Sequence, residues 1–306
     1  MNKLSLRFGG YQSEASVHTR AARVFTAASG PEVGVAMTAD VTQQGHSARD
    51  LFAMVEGEDL DFCYFASSYL AGRAPSLGLF DLPFRITERE RIYAKLDGAL
   101  GAELAADVAA ATAFYVLGFW DNGFRHISNR LRPIHRPEDC RGMRIRTLDN
   151  AFHKRIFAAF GFDPVFIDVK ELAEAVATHR VDAQENPLTN LVNFGLHRAH
   201  RHLSLTSHFF GVTLLLVNRR RFDAWPREVR DRVRSAAATA TKAQRGFAAA
   251  EDARCLALLE ADGVEIVPAP AVDRIAFRAA VGGIVAGEVA RIDEVLIAEL
   301  EDDDGR

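Results

Sequence analysis

The chain has 306 residues, 48% of them apolar, and a formal net charge of -4. That length and apolar content allow a large core and about two domains at the usual 100 to 200 residues each. The slight excess of acid excludes a dedicated nucleic-acid binder, for which a strongly basic face is required. No window reaches the roughly 18 apolar residues of a membrane span.

In chain order, "LSLRFGG" reads as a strand ending at a glycine turn, and "SEASVHTRAARVFTAASG" has helical spacing closed by Gly30. "PEVGVAMTADV" is a second strand, "HSARDLFAMVEGED" a second helix and "LDFCYFA" a third strand. Strands alternating with helices imply an α/β chain with a parallel or mixed sheet covered on both faces. After the loop "GRAPSLGLFDLPF", helical stretches run through "ERIYAKLDGALGAELAADVAAATAF" to a strand "YVLGFW". A second α/β portion begins near Asn122, with strands "RHISN" and "MRIRT", helix "NAFHKRIFAAF", a connection "GFDPVFID", helix "KELAEAVATH" and then "VDAQENPLTNLVNF". "HFFGVTLLLVN" is a buried strand by its unbroken apolar run. Beyond Trp225-Pro226 about 37 residues are helical, long enough to bridge two domains. The closing "EDDDGR" reads as a frayed tail.

Between Phe119 and Arg155 nine Lys or Arg residues face four acids, a basic segment in an acidic protein. Most of these charges read as a solvated face. Arg125 and Arg146 differ, because both stand on apolar strands at a domain boundary. There the planar fork of arginine can hold a carboxylate with two parallel hydrogen bonds. In "MRIRT" Arg144 and Arg146 alternate with Met143 and Ile145, so the faces of that strand differ.

"VDAQENPLTN" adds Asp182, Glu185, Asn186 and Asn190 at a break before a helix that could begin at Pro187. Asn186 fits either the helix N-cap or a ligand-facing amide. "DVKE" fits a capping box, with Asp168 as cap and Glu171 at the third helical position. His197, His200, His202 and His208 follow no metal-protease spacing, and no nucleophile elbow or phosphate loop is present. No cofactor, no metal and no catalytic residue are therefore expected. Cys63, Cys140 and Cys255 are too few and too far apart for a disulfide framework. The start "MNKLSLRFGGYQ" has no charged segment followed by an apolar one. Either the protein is cytoplasmic or a leader has been removed.

The runs "GFRHISNRLRPIHRPEDCRGMRIRTLDN" and "FGFDPVFIDVKELAEAVATHRVDAQENPLTN" resemble the extracytoplasmic solute-binding proteins of tripartite ATP-independent periplasmic (TRAP) transporters. The match follows that family's Gly-Phe-Arg, Arg-Pro-Ile, Pro-Glu-Asp and Gly-x-x-Ile-Arg pattern. The resemblance implies a two-lobed periplasmic-binding-protein-like α/β fold with mixed sheets, a ligand cleft and a long helix bridging both lobes. The expected lobes are 1–121 with about 211–250, and 122–210 with about 251–306, sharing a helix around 226–262 and hinged near Asn122 and Gly211. It also implies a periplasmic location with the leader removed, and TRAP permease subunits as membrane partners.

The family's carboxylate-binding arginine maps to Arg146, leaving Arg144 towards solvent. A second cationic contact maps to Arg125 and an amide to Asn186. First-lobe contacts fall on the loops 10–12 and 66–69, that is Tyr11, Ser67, Ser68 and Tyr69. The ligand expected is a small organic carboxylate. "FASSYL", where sugar-acid members carry an acid or amide, and Phe209 in "HFFG" point to a compact, partly apolar acid such as a 2-hydroxy or 2-oxo acid. A uronate binder, a periplasmic sensor module and an enzyme of small acids are the alternatives.

Overall fold

In the computed structural model, which describes residues 4–301, the first apolar alternation forms strand β1 (Leu4–Gly9). It is followed by β2 (Val33–Thr38), β3 (Phe62–Ala66) and the long β4 (Phe114–Asn129). Then come β5 (Arg144–Thr147), β6 (Asp163–Phe166), β7 (Ala183–Pro187), β8 (His202–Asn218) and β9 (Glu265–Val267). The mixed α/β class expected from sequence is present. The two strands read as "YVLGFW" and "RHISN" are one continuous strand, β4. The helical stretches expected from "ERIYAKLDGALGAELAADVAAATAF" are two helices, Arg89–Asp97 and Ala99–Ala111, separated at Gly98. The acidic tail lies, from residue 302 on, outside the described residues.

The chain forms two compact units. Unit 1 comprises the residues up to Ser67 with Gly101–Asp121 and Val212–Glu251. Unit 2 comprises Ser68–Leu100, Asn122–Gly211 and the chain from Asp252. Residues 68–100 thus group with unit 2, whereas their place in the chain suggested the first lobe. The contacts of Ser68 and Asp81 described below show why. Strands β4 and β8 and the 35-residue helix Arg227–Ala261 each supply residues to both units.

In unit 1, β1 pairs in parallel with β2 on one side and β3 on the other, and β3 pairs antiparallel with the end of β8. The core joins Phe8, Phe25, Phe62, Tyr64, Trp120 and Leu215. Burying each such ring contributes about 1.5–3 kcal/mol. Helix Val17–Ala28 delivers Phe25, and its N-cap Ser16 accepts from the His18 amide. Trp120 is 1% exposed, and its indole N–H donates to Thr241 Oγ1 at 3.1 Å. Gly118 lies against that same hydroxyl, where a Cβ would intrude well inside van der Waals distance. Gly118→Ala is therefore expected to cost about 1–3 kcal/mol of stability, as overpacking does. A urea midpoint equal to that of the parent protein would refute it.

In unit 2, β4 pairs antiparallel with β7, β7 runs parallel to β5, β5 parallel to β6, and β9 parallel to β8. β6 occupies the segment expected as a connection. Asp163 and Pro164 mask its strand character, and Pro is tolerated there because β6 pairs only with β5 and needs no second ladder. Leu172, Val176, Val181, Leu191, Leu203 and Leu259 form its core. Asp168 caps helix Val169–Ala177 as expected, accepting from Lys170 N at 3.0 Å. Glu171 turns to Arg180 instead of closing the box. Helix Leu188–Asn193 starts after Pro187 with no side-chain cap, so Asn186 lies within a strand and does not cap the helix.

Candidate functional site

Parallel strands collect binding groups at their carboxyl ends, and in unit 2 two of the singled-out residues stand there. Arg146 is on β5 opposite Gln184 of β7, Asn186 is the penultimate residue of β7, and Arg125 of β4 lies opposite Pro187. Arg146 is 1% exposed. Its Nε donates to Ile167 O at 2.9 Å, while its buried Nη2 has no acceptor. A buried charged donor left unmatched is strongly destabilising, so this atom marks a place for an acceptor. Arg144, two residues earlier, behaves differently. It is exposed, donates to His179 O at 3.1 Å and lies 4.0 Å from Asp182. Asp182 instead receives the Arg144 backbone amide at 2.9 Å and Arg130 at 2.6 Å.

Arg125 is also buried, but its charge is already matched. Nε and Nη2 reach the two oxygens of Glu185 at 2.5 and 2.7 Å, and Nη2 lies 3.3 Å from Asn186 Oδ1. Burial alone would raise the Glu185 pKa, but the Arg125 charge and its hydrogen bonds prevail and hold the carboxyl well below the usual range. His208 touches Glu185 from another side at 3.4 Å, and burial keeps this imidazole's pKa lowered despite that carboxylate. The resemblance made Arg125 a second cationic contact for the ligand, and here Glu185, sixty residues away in the chain, holds that charge.

Asn186 belongs to a buried polar chain. Its Nδ2 donates to Gln184 Oε1 at 2.6 Å, Gln184 donates to Ser128 Oγ at 2.6 Å, and Ser128 meets His200 Nδ1 at 3.1 Å. Asn190 donates to Asn186 Oδ1 at 3.1 Å. With Arg125 also close, the amide oxygen is filled, and one amide N–H remains to offer.

The other candidates are spread between the units. Ser68 donates to Asp81 Oδ1 at 2.5 Å, and Asn150, the N-cap of helix Ala151–Ala159, donates to Asp81 Oδ2 at 2.9 Å. His153 Nε2 also lies 2.9 Å from Asp81, off the line of an ideal N–H donor. Asp81, absent from the sequence-based candidates, is therefore the hub that ties the segment after β3 to the helix after β5. Phe209 stacks on His153 at 4.6 Å and 17°, and Phe157 meets it edge-on. Tyr69 lies in the same unit as Arg125. Ser67 and Tyr11 belong to unit 1. Ser67 has a buried hydroxyl without a partner among the described residues, and Tyr11 packs on Tyr64 and Phe65 at 5.4 and 4.8 Å. The clustered histidines have separate partners: His197 with Asp262, His202 with Glu265, His208 with Thr206. A buried Glu in the all-polar run "QEN" was the signal available for Glu185.

The fold superposes on that of a TRAP periplasmic solute-binding protein from Polaromonas sp. JS666 bound to D-erythronate, with TM-score 0.92 and 26% identity over 99% of this chain and all of that one. A second, from Bordetella with electron density interpreted as pantoate, gives TM-score 0.90 and 26% identity over 98% and 99%. Among sequence relatives, the 2,3-diketo-L-gulonate-binding periplasmic protein of Escherichia coli is 29% identical over 78% of this chain and 72% of its own length. These likenesses define a solute-binding protein of TRAP transport, a class that carries ligands and does not transform them. Residues 15–290 match the bacterial extracellular solute-binding proteins of family 7, and the chain belongs to that family. The family works outside the cytoplasm, and among the described residues no helix is long and apolar enough to cross a membrane.

Proposed function

We propose that this protein captures a small organic carboxylate in the periplasm and delivers it to the membrane subunits of a TRAP permease. The observation that carries the reading is the buried Arg146 Nη2 without an acceptor. A carboxylate at that atom removes an unmatched charge, and the guanidinium plane offers it two parallel donors. The remaining N–H of Asn186 supplies a further donor at the same edge. Arg125, held by Glu185, shapes this edge and adds no free positive charge. The ligands named for the erythronate and pantoate proteins are acids, which supports the class of ligand.

Thermal shift of the ligand-stripped protein against carboxylates, amino acids and neutral sugars tests this. A true ligand at a hundredfold excess over its Kd stabilises by about 2.7 kcal/mol. Carboxylates are expected to raise Tm, and the order among them separates compact 2-hydroxy and 2-oxo acids from uronates. A shift with neutral sugars alone would refute the carboxylate reading.

A further inference from the structure

Resting on that reading, we infer that the site selects a monoanion: it accepts one carboxylate and disfavours a ligand carrying a second. Four buried charges of unit 2 bear on this selectivity. Two guanidinium groups stand at the carboxyl-end edge, Arg125 and Arg146. Glu185 neutralises Arg125 through both of its oxygens. Asp81, 3% exposed, is a second buried carboxylate of the same unit, near enough to act on the Arg125 charge. Against these two acids stand the two arginines, so the fixed charges cancel.

The His208 and His126 imidazoles add little. His208 and His126 are buried and held towards the neutral form, and His153 already lies against Asp81 at 2.9 Å. Arg146 is thus the guanidinium whose buried nitrogen lacks an acceptor, and one carboxylate satisfies it. A second carboxylate on the ligand would be desolvated beside Glu185 and Asp81, with Arg125 already paired to Glu185 and Arg146 taken by the first. Selectivity of this kind comes as much from the unfavourable juxtaposition as from the favourable pair. Glu185 and Asp81 are the residues that set it.

Calorimetric titration of matched pairs, in which only the far end of the ligand becomes a carboxylate, tests the inference. The pairs are 2-hydroxybutanoate and malate, D-erythronate and meso-tartrate, and D-gluconate and D-glucarate. For each pair that binds, the dianion is expected to be weaker by about thirtyfold or more. Glu185→Gln leaves Arg125 as a second unmatched cation, and the mono-to-dianion ratio should shrink at least about tenfold. Asp81→Asn should move the ratio in the same direction and serves if the first variant does not fold. A dianion that binds the parent protein as tightly as its monoanion overturns the inference while the carboxylate reading stands. An unchanged ratio in the folded variants also overturns it. If no acid of either series binds, the carboxylate reading itself falls and takes the inference with it.

Discussion

Arg146→Lys is expected to lose most of the affinity for the best carboxylate although the charge is kept. Lysine presents one point charge on a flexible stem, whereas the buried guanidinium offers a planar pair of donors already aimed by its bond to Ile167 O. Disrupting one partner of a desolvated charged pair typically costs about 2–5 kcal/mol, a loss of thirtyfold or more. The matching change at Arg144, on the same strand but exposed, should alter affinity by less than about 0.5 kcal/mol. Calorimetric titration of both variants decides the matter. Equal losses at the two positions, or none at Arg146, would show that the buried fork is not the anchor.

Acid should destabilise the protein steeply below pH 6.5. Burial pushes the imidazoles of His18, His126 and His200 down to about 3, with the Asp121 backbone opposing the shift at His18. In the unfolded chain these rings titrate near 6.5. Between those values the unfolded state binds more protons, so the stability contributed by the neutral rings is complete above pH 6.5 and declines as pH falls. Each ring removes up to about 1.4 kcal/mol per pH unit, roughly 4 for the three together. The depressed Glu185 carboxyl adds to the loss below its ordinary value of 4.5. Urea midpoints at pH 7.5, 6.5 and 5.5 measure the slope, and His200→Asn should flatten it by about a third. A midpoint constant over that range would contradict the assignment of these rings as buried and neutral.

The parts legible in the sequence share a cause. β1 to β3 and the strand of Arg146 show as short alternating or apolar runs next to helices with clear caps, and burial of Arg146 follows from its place on such a run. β6 was illegible because its sequence opens with Asp163-Pro164 and its ladder depends on β5 beside it. The pairing of Arg125 with Glu185 was illegible for a different reason. Both residue types were visible, but only the antiparallel register of β4 and β7, with Ile127 opposite Glu185, brings them together. Asp81 shows the same limit. Its partners Asn150 and His153 lie about seventy residues on, so no local pattern marks it.

The way the units divide the chain governs how this protein can be made. The polypeptide passes from one unit to the other at residues 67–68, 100–101, 121–122, 211–212 and 251–252, so neither unit is a contiguous stretch. Unit 1 cannot gather all its strands on a ribosome until Asn218 has emerged, and unit 2 must wait for the chain beyond Asp252. Contacts of such large sequence separation slow folding and leave apolar strand surface exposed in the interval. A cut at any of the three middle passages divides both units, and one at 67–68 or 251–252 divides one of them, so half-molecules should be poor folders, and any workable split form would need its two fragments produced together.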